Sequence, residues 1–177
     1  MLSPSFRKYQ NLPKSTAINQ LMIQNAVTGC TVMVNRSLIE YMKRVRNIDA
    51  VVMHDYWVAL IAEVFGKIVY IQRPMIQYRQ HGNNSVGASD AAGVTYLWNR
   101  FKAGKKQFNT RLEETMIQIG YFCDVYKEEL QYYPYKDILL EYANLKNVTR
   151  FRKWKFYVCH NVTKYGIIRK IMQFIWS

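Results

Sequence analysis

The pattern of apolar residues changes near residue 88, and this change most constrains what the chain can fold into. Beyond residue 90 no strand-like alternation recurs, and apolar residues return every three to four positions, the period of an amphipathic helix. This half of the chain therefore predicts helices joined by turns. The predicted helical segments are Val94–Lys105, Arg111–Leu130, Tyr135–Lys146, Phe151–Lys164 and Ile167–Trp176.

Before residue 88 the pattern mixes short β-branched runs with helical periods. The runs that predict strands are Cys30–Val34, Lys67–Ile71 and Met75–Arg79, because such side chains suit a buried pleated surface. Ser15 and Asn35 predict the caps of two helices, over residues 15–25 and about 36–46, and Tyr56–Phe65 predicts an apolar helix that ends at Gly66. We therefore expect an α/β fold, with a mixed domain of few short strands over residues 1–88 and a mainly helical region over residues 89–177.

The positive charge of the chain is concentrated at its C-terminal end. The formal net charge is +13, and the last acidic residue is Glu141. From Arg150 onward there are seven basic residues and no acid, which indicates an anionic surface as partner. We expect no nucleic-acid partner, because the basic excess is confined to one terminus and no helix-turn-helix or aromatic RNA-binding signature is present.

A lipid surface is the better candidate, because the last predicted helix is amphipathic. Ile168, Ile171, Met172 and Ile175 share one face, and Trp154, Phe156, Tyr157 and Trp176 are the kind of aromatic residues found at membrane interfaces. We expect this helix to lie on an anionic membrane, or alternatively to pack its apolar face on its own domain. No apolar run reaches the roughly 18 residues that span a bilayer.

The cysteines do not form a metal-binding or disulfide pattern. Cys30, Cys123 and Cys159 are odd in number and far apart, so we expect reduced, core-packing thiols in a cytoplasmic protein.

Asp55 is the carboxylate with the most interesting position. Together with His54 it precedes a strongly apolar helix, where the helix dipole favours a negative charge. A general base needs such a fixed and ionised carboxylate, but a plain helix N-cap aspartate needs the same position. The spacing leaves both interpretations open.

A second polar cluster follows at Tyr78–Ser85, with the sequence YRQHGNNS. Arg79 offers forked hydrogen-bond donors, His81 offers a ring nitrogen, and Ser85 adds a hydroxyl. Such a loop suits a phosphate or a phosphate-bound metal, and an ordinary polar surface turn is the alternative.

Three motifs in this order resemble a known family. They are NAVTGCTVMVNR over residues 25–36, MHDYW over 53–57 and YRQHGNN over 78–84. Together they resemble the second half of GT-A-type family 2 glycosyltransferases, particularly the rhamnosyltransferases that build bacterial cell-surface polysaccharides. Residues 89–177 resemble the family only as a basic helical tail.

The resemblance implies a role for each motif in an inverting transfer from a nucleotide-sugar. Asp55 would be the general base, with His54 beside it. Arg79, His81 and Ser85 would lie on the donor side near the diphosphate and a divalent Mg²⁺ or Mn²⁺, with His81 as a metal ligand. The acceptor cleft would be lined by Thr28, Gly29, Cys30 and Trp57.

The chain also departs from that family. It has no Asp-x-Asp metal motif and no nucleotide-binding units before Asn25. We therefore expect it to lack the nucleotide-binding half, to be inactive alone, and to act with that half at the inner face of the cell membrane. The alternative is a non-catalytic basic fragment that binds a membrane or a partner.

Overall fold

The computed structural model describes residues 12–73 and 94–177. For residues 94–103 it describes the backbone only. Its helices are α1 Ile18–Leu21, α2 Arg36–Met42, α3 His54–Phe65, α4 Val94–Val125, α5 Lys127–Leu130, α6 Lys136–Asn144, α7 Arg150–Cys159 and α8 Ile167–Trp176. Short 3₁₀ turns lie at Gly29–Thr31, Ile48–Ala50 and Leu145–Asn147. The described part of the chain is 64% helical and contains no strand, so it is all-α.

The expectation of an α/β fold is therefore wrong for the described residues. Cys30–Val34 begins as a 3₁₀ turn and leaves Met33 96% exposed, and Lys67–Ile71 is an exposed segment without regular structure. A β-branched run becomes a strand only where a neighbouring strand accepts its hydrogen bonds, and none does so here. The third predicted strand, Met75–Arg79, lies outside the described residues.

The predicted helices are largely confirmed, with differences at their ends. Asn35 caps α2 through its side chain, which accepts from Leu38 N–H at 3.0 Å, and α3 ends at Gly66 as predicted. The helix expected after Ser15 is only one turn long. The two helices expected from residue 94 onward are both present within α4, and only a kink at Gly104, where φ is +85°, separates them. A non-glycine residue adopts that backbone conformation at a steric cost.

The core forms around α3, which is buried on nearly all sides, and its seven buried apolar residues are Tyr56, Trp57, Val58, Ala59, Leu60, Ile61 and Val64. Helix α4 packs against it through Tyr121 and Phe122, whose rings contact Trp57. Helix α4 also carries a buried apolar stripe at helical spacing, formed by Leu112, Met116, Ile119 and Cys123, and its Thr115 shares a 2.8 Å hydrogen bond with Tyr142 of α6. The enclosure of α3 fixes where its first turn points.

A buried hydrogen-bond relay ties α2, α3 and the end of α4 together. Trp57 Nε1 donates to Tyr126 Oη at 3.3 Å, and Tyr126 Oη donates to the Tyr41 carbonyl at 2.9 Å. Burial raises the pKa of Tyr126 to about 12, so the hydroxyl keeps the proton that it donates.

The C-terminal helix α8 is held to the loop that precedes it by the buried side-chain amide of Gln173. Gln173 is fully buried; its Nε2 donates to the Val162 carbonyl at 3.0 Å, and its Oε1 accepts from Lys164 N–H at 2.8 Å. The same loop reaches the N-terminal segment, since Lys164 Nζ donates to the Ile23 carbonyl at 3.1 Å and Tyr165 N–H to Gln24 Oε1 at 2.9 Å.

We expect Gln173→Ala to lower the free energy of unfolding by about 1–3 kcal/mol, because it leaves a buried N–H and a buried carbonyl without partners. Gln131→Ala removes the same side chain from an exposed position and is the matched control. Urea unfolding of the two variants measures the difference. Equal stability would contradict the anchoring role of Gln173.

Candidate active site

Asp55 lies in the first turn of α3 and is only 5% exposed. The residue at the N-cap position is Met53, whose backbone is extended and whose side chain makes no capping hydrogen bond. Asp55 therefore does not cap its own helix, and the N-cap interpretation is wrong. Its position in the first turn still places a carboxylate where the helix dipole favours negative charge.

The Asp55 carboxylate instead holds the loop that carries the first motif. Oδ1 accepts from Asn25 Nδ2 at 3.0 Å, and Oδ2 accepts from Gly29 N–H at 2.8 Å. Asn25 Oδ1 in turn accepts from Val27 N–H at 3.0 Å, which closes a turn next to the carboxylate. Two motifs that are separated by 26–30 residues thus meet at one side chain.

Gly29 also approaches His54 closely. A Cβ atom added at Gly29 would lie 2.6 Å from His54 Nε2 and 3.5 Å from the Asp55 Cβ. The imidazole of His54 is exposed, so the ring stands at the surface directly beside the glycine backbone. The loop and the helix start therefore form one cluster, with Asp55 inside and His54 outside.

The remaining residues of the predicted acceptor cleft divide between surface and core. Thr28 precedes the 3₁₀ turn and Thr31 ends it, and Thr31 Oγ1 donates to the Thr28 carbonyl at 2.8 Å. Cys30 is exposed on that turn. Trp57 is in the core, where its ring contacts Tyr121, Phe122 and Tyr126. This position differs from the cleft wall that the resemblance implies for Trp57.

The exposed cysteine also corrects an expectation about the thiols. Cys30 and Cys159 are both exposed, and only Cys123 packs in the core. Burial raises the pKa of Cys123 to about 12.

The donor-side residues Arg79, His81 and Ser85 lie outside the described residues. Their convergence with Asp55 on a common cleft, and the role of His81 as a metal ligand, stay predictions. Within residues 12–73 and 94–177 no three His, Cys, Asp or Glu side chains come together to hold a metal ion. The described residues thus do not themselves fit Mg²⁺ or Mn²⁺, which prefer several oxygen ligands.

No local pattern in the sequence indicates the residues that position the start of α3. Gln118 Oε1 accepts from Val52 N–H at 2.8 Å, and Tyr121 Oη accepts from Arg46 N–H and Asn47 N–H, both at 2.8 Å. Both side chains come from α4, more than 60 residues away along the chain. Asn25 could have been found, since an Asn followed by a turn commonly bonds the backbone two residues on.

A second surface feature is an open cleft of about 620 Å³ at the opposite end of α3, lined by Tyr41, Glu128, Glu129, Gln131, Tyr132 and Tyr133. The ring of Phe65, the last residue of α3, contacts Tyr41 and Tyr133. At about 1.5 Å per residue, that end lies roughly 15 Å along the helix from Asp55. The cleft is therefore not part of the cluster around Asp55.

Comparison with known proteins adds no relative: no protein-family model, no curated protein and no solved structure matches the chain. The grounds for a function are therefore the three motifs and the geometry around Asp55.

We expect Gly29→Ala to move the imidazole of His54 and to leave the fold intact. The new methyl group would meet the far end of an exposed, rotatable side chain, and φ at Gly29 is not in the left-handed region. NMR should therefore show shifted ring resonances for His54 and unchanged resonances for His160, which lies at the end of α7. Unshifted His54 resonances would contradict this contact.

Proposed function

We propose that this chain is the acceptor-side part of an inverting glycosyltransferase. It would transfer a sugar, rhamnose by resemblance, from a nucleotide-sugar to a bacterial cell-surface polysaccharide. The observation that carries the proposal is the convergence of the first and second motifs, through two hydrogen bonds to the Asp55 carboxylate. Motifs that act in one site are expected to meet in the fold, and these two do.

In this proposal Asp55 is the general base that takes the proton of the acceptor hydroxyl. An ionised carboxylate has about four acceptor sites, and the bonds from Asn25 and Gly29 occupy one on each oxygen. Each oxygen thus retains acceptor capacity for a hydroxyl group. The two donors hold the carboxylate in one orientation, as a base requires.

The surface next to the carboxylate supplies the approach for the acceptor. His54 and Cys30 are both exposed next to Gly29, and the His54 ring occupies the space that a side chain at position 29 would fill. The nucleotide-sugar and the divalent metal belong in this proposal to the complete enzyme, through Arg79, His81 and Ser85 and a nucleotide-binding half, and not to this chain alone.

We also propose that the protein is peripheral at the inner face of the cell membrane, with α8 in contact with the lipids. No helix in the described ranges is long and apolar enough to cross a bilayer. In α8, Met172 and Gln173 point into the domain, whereas Ile168, Ile171 and Ile175 are exposed. Of the face expected from the sequence, α8 therefore buries Met172 on its own domain but not the three isoleucines, and their exposure supports a lipid surface as partner.

A non-catalytic scaffold is the second candidate function. It is favoured by the same hydrogen bonds, because an Asp55 that only clamps the Asn25–Gly29 loop would show the same geometry. The two candidates differ in what happens when the clamp is kept and the carboxylate is moved.

An exchange of the two side chains tests whether Asp55 is the base. Asp55→Asn alone would place an amide N–H opposite the Asn25 Nδ2 donor, where neither group can accept. We expect this loss to lower the free energy of unfolding by about 1–3 kcal/mol. In Asn25→Asp/Asp55→Asn, the carboxylate at position 25 accepts from Val27 N–H and from the amide at position 55, which still accepts from Gly29 N–H. All three hydrogen bonds are kept, so we expect stability to return.

The transfer rate should not return in this double variant, because position 55 has no base; we expect a fall of roughly 10²–10⁴ in both variants. Urea unfolding and initial rates with nucleotide-activated rhamnose are measured on the same preparations, with the chain supplied with its nucleotide-binding half. Recovery of both stability and rate in the double variant would assign Asp55 to the scaffold.

A second prediction tests acceptor binding by the chain itself. A bound glycan should slow the alkylation of Cys30 by N-ethylmaleimide and leave the rate at Cys159 unchanged. Cys123 should stay unlabelled because it is buried and its pKa is about 12. Peptide mass spectrometry with a panel of rhamnose-containing oligosaccharides measures the rates. An unchanged Cys30 rate at saturating concentrations of every oligosaccharide would count against an acceptor site at this turn.

A further inference from the structure

Helix α7 exposes an apolar stripe that the sequence pattern did not single out. Phe151 is 76% exposed and Val158 is 68% exposed, and Trp154 lies between them with part of its ring at the surface. These three residues are spaced i, i+3, i+7 and therefore share one face of the helix. The aromatic residues expected at an interface, Phe156 and Tyr157, are instead buried in the core.

The stripe on α7 adjoins the exposed aliphatic face of α8. The rings of Trp154 and Phe174 are in contact at 6.3 Å, and Tyr157 contacts the same phenylalanine at 6.0 Å. Arg150, at the start of α7, donates to the carbonyls of Phe174 and Ile175 at the end of α8. The guanidinium group of Arg150 also lies 5.0 Å from the Trp154 ring centre. The two helices are thus joined at this seam before any partner binds.

The charge around this surface decides what can cover it. Arg152, Lys155 and Lys170 are exposed on these two helices, and no acidic residue follows Glu141 in the sequence. Glu141 lies at the end of α7, 3.5 Å from His160, but α7 and α8 themselves carry only basic charged residues. Apolar side chains among such cations suit anionic lipid headgroups above an acyl region. A second copy of the chain would bring two like-charged surfaces together, which repel.

We propose that α7 and α8 form a single, preformed surface that inserts into an anionic bilayer, with Phe151, Trp154 and Val158 entering the lipid together with Ile168, Ile171 and Ile175. This inference rests on the proposed peripheral location and adds α7 as an equal part of the contact. Because Arg150 and the Trp154–Phe174 contact already fix the two helices, binding needs little reordering of the protein.

The test is co-sedimentation with phosphatidylcholine vesicles that contain about one-third phosphatidylglycerol. Wild-type protein should bind these vesicles, and binding should weaken at high salt and with pure phosphatidylcholine. Phe151→Ser/Val158→Ser should lower the partition coefficient by about tenfold or more, as should Ile171→Ser/Ile175→Ser. The matched control is Met33→Ser/Ile48→Ser, which removes two apolar residues that are more exposed and lie elsewhere, and it should bind like wild type.

A spectroscopic measurement covers the case in which a serine variant folds poorly. Brominated lipids should quench part of the tryptophan emission, and that part should be missing in Trp154→Phe. The inference is overturned if the α7 pair binds like wild type, if Trp154 is not quenched, or if the protein binds duplex DNA or itself but not vesicles. Asp55→Asn should bind vesicles normally and lose transfer, so retained transfer in this variant together with intact vesicle binding would defeat only the catalytic proposal.

Discussion

The enclosure of helix α3 is the constraint on which the rest of the structure depends. Its buried side chains contact α2, α4 and the N-terminal segment, and Trp57 is held by the hydroxyl of Tyr126. A helix that is packed on nearly all sides cannot rotate without opening the core. Its first turn is therefore fixed, and Asp55 meets the Asn25–Gly29 loop in one geometry.

The Asp55 carboxylate combines a structural and a proposed chemical role. Burying a charge is costly unless donors compensate for it, and here an amide side chain and a backbone N–H do so at 3.0 and 2.8 Å. The same donors orient the oxygens that a base would use. Stability and reactivity at this residue are consequently linked, and only a variant that keeps the hydrogen bonds separates them.

The loop before the C-terminal helix α8 is linked by hydrogen bonds to residues 23 and 24, which lead directly into the candidate site. The loop before α8 is bonded to Ile23 and Gln24 through Lys164 and Tyr165, and the next residue, Asn25, bonds to Asp55. A bilayer that is held by α7 and α8 would thus lie at a fixed position relative to the carboxylate. Such an arrangement suits an acceptor that is presented at the membrane.

The sequence by itself determined most of the helices, the cap at Asn35 and the position of Asp55 at the start of an apolar helix, because helical periodicity and capping involve residues within one or two turns. It failed for Cys30–Val34, since a strand needs a pairing partner that the described structure does not provide. Only the tertiary structure decided that Asp55 bonds Asn25 rather than capping its own helix, and that Trp57 lies in the core. These outcomes depend on which distant segments pack together, and no local pattern encodes that choice.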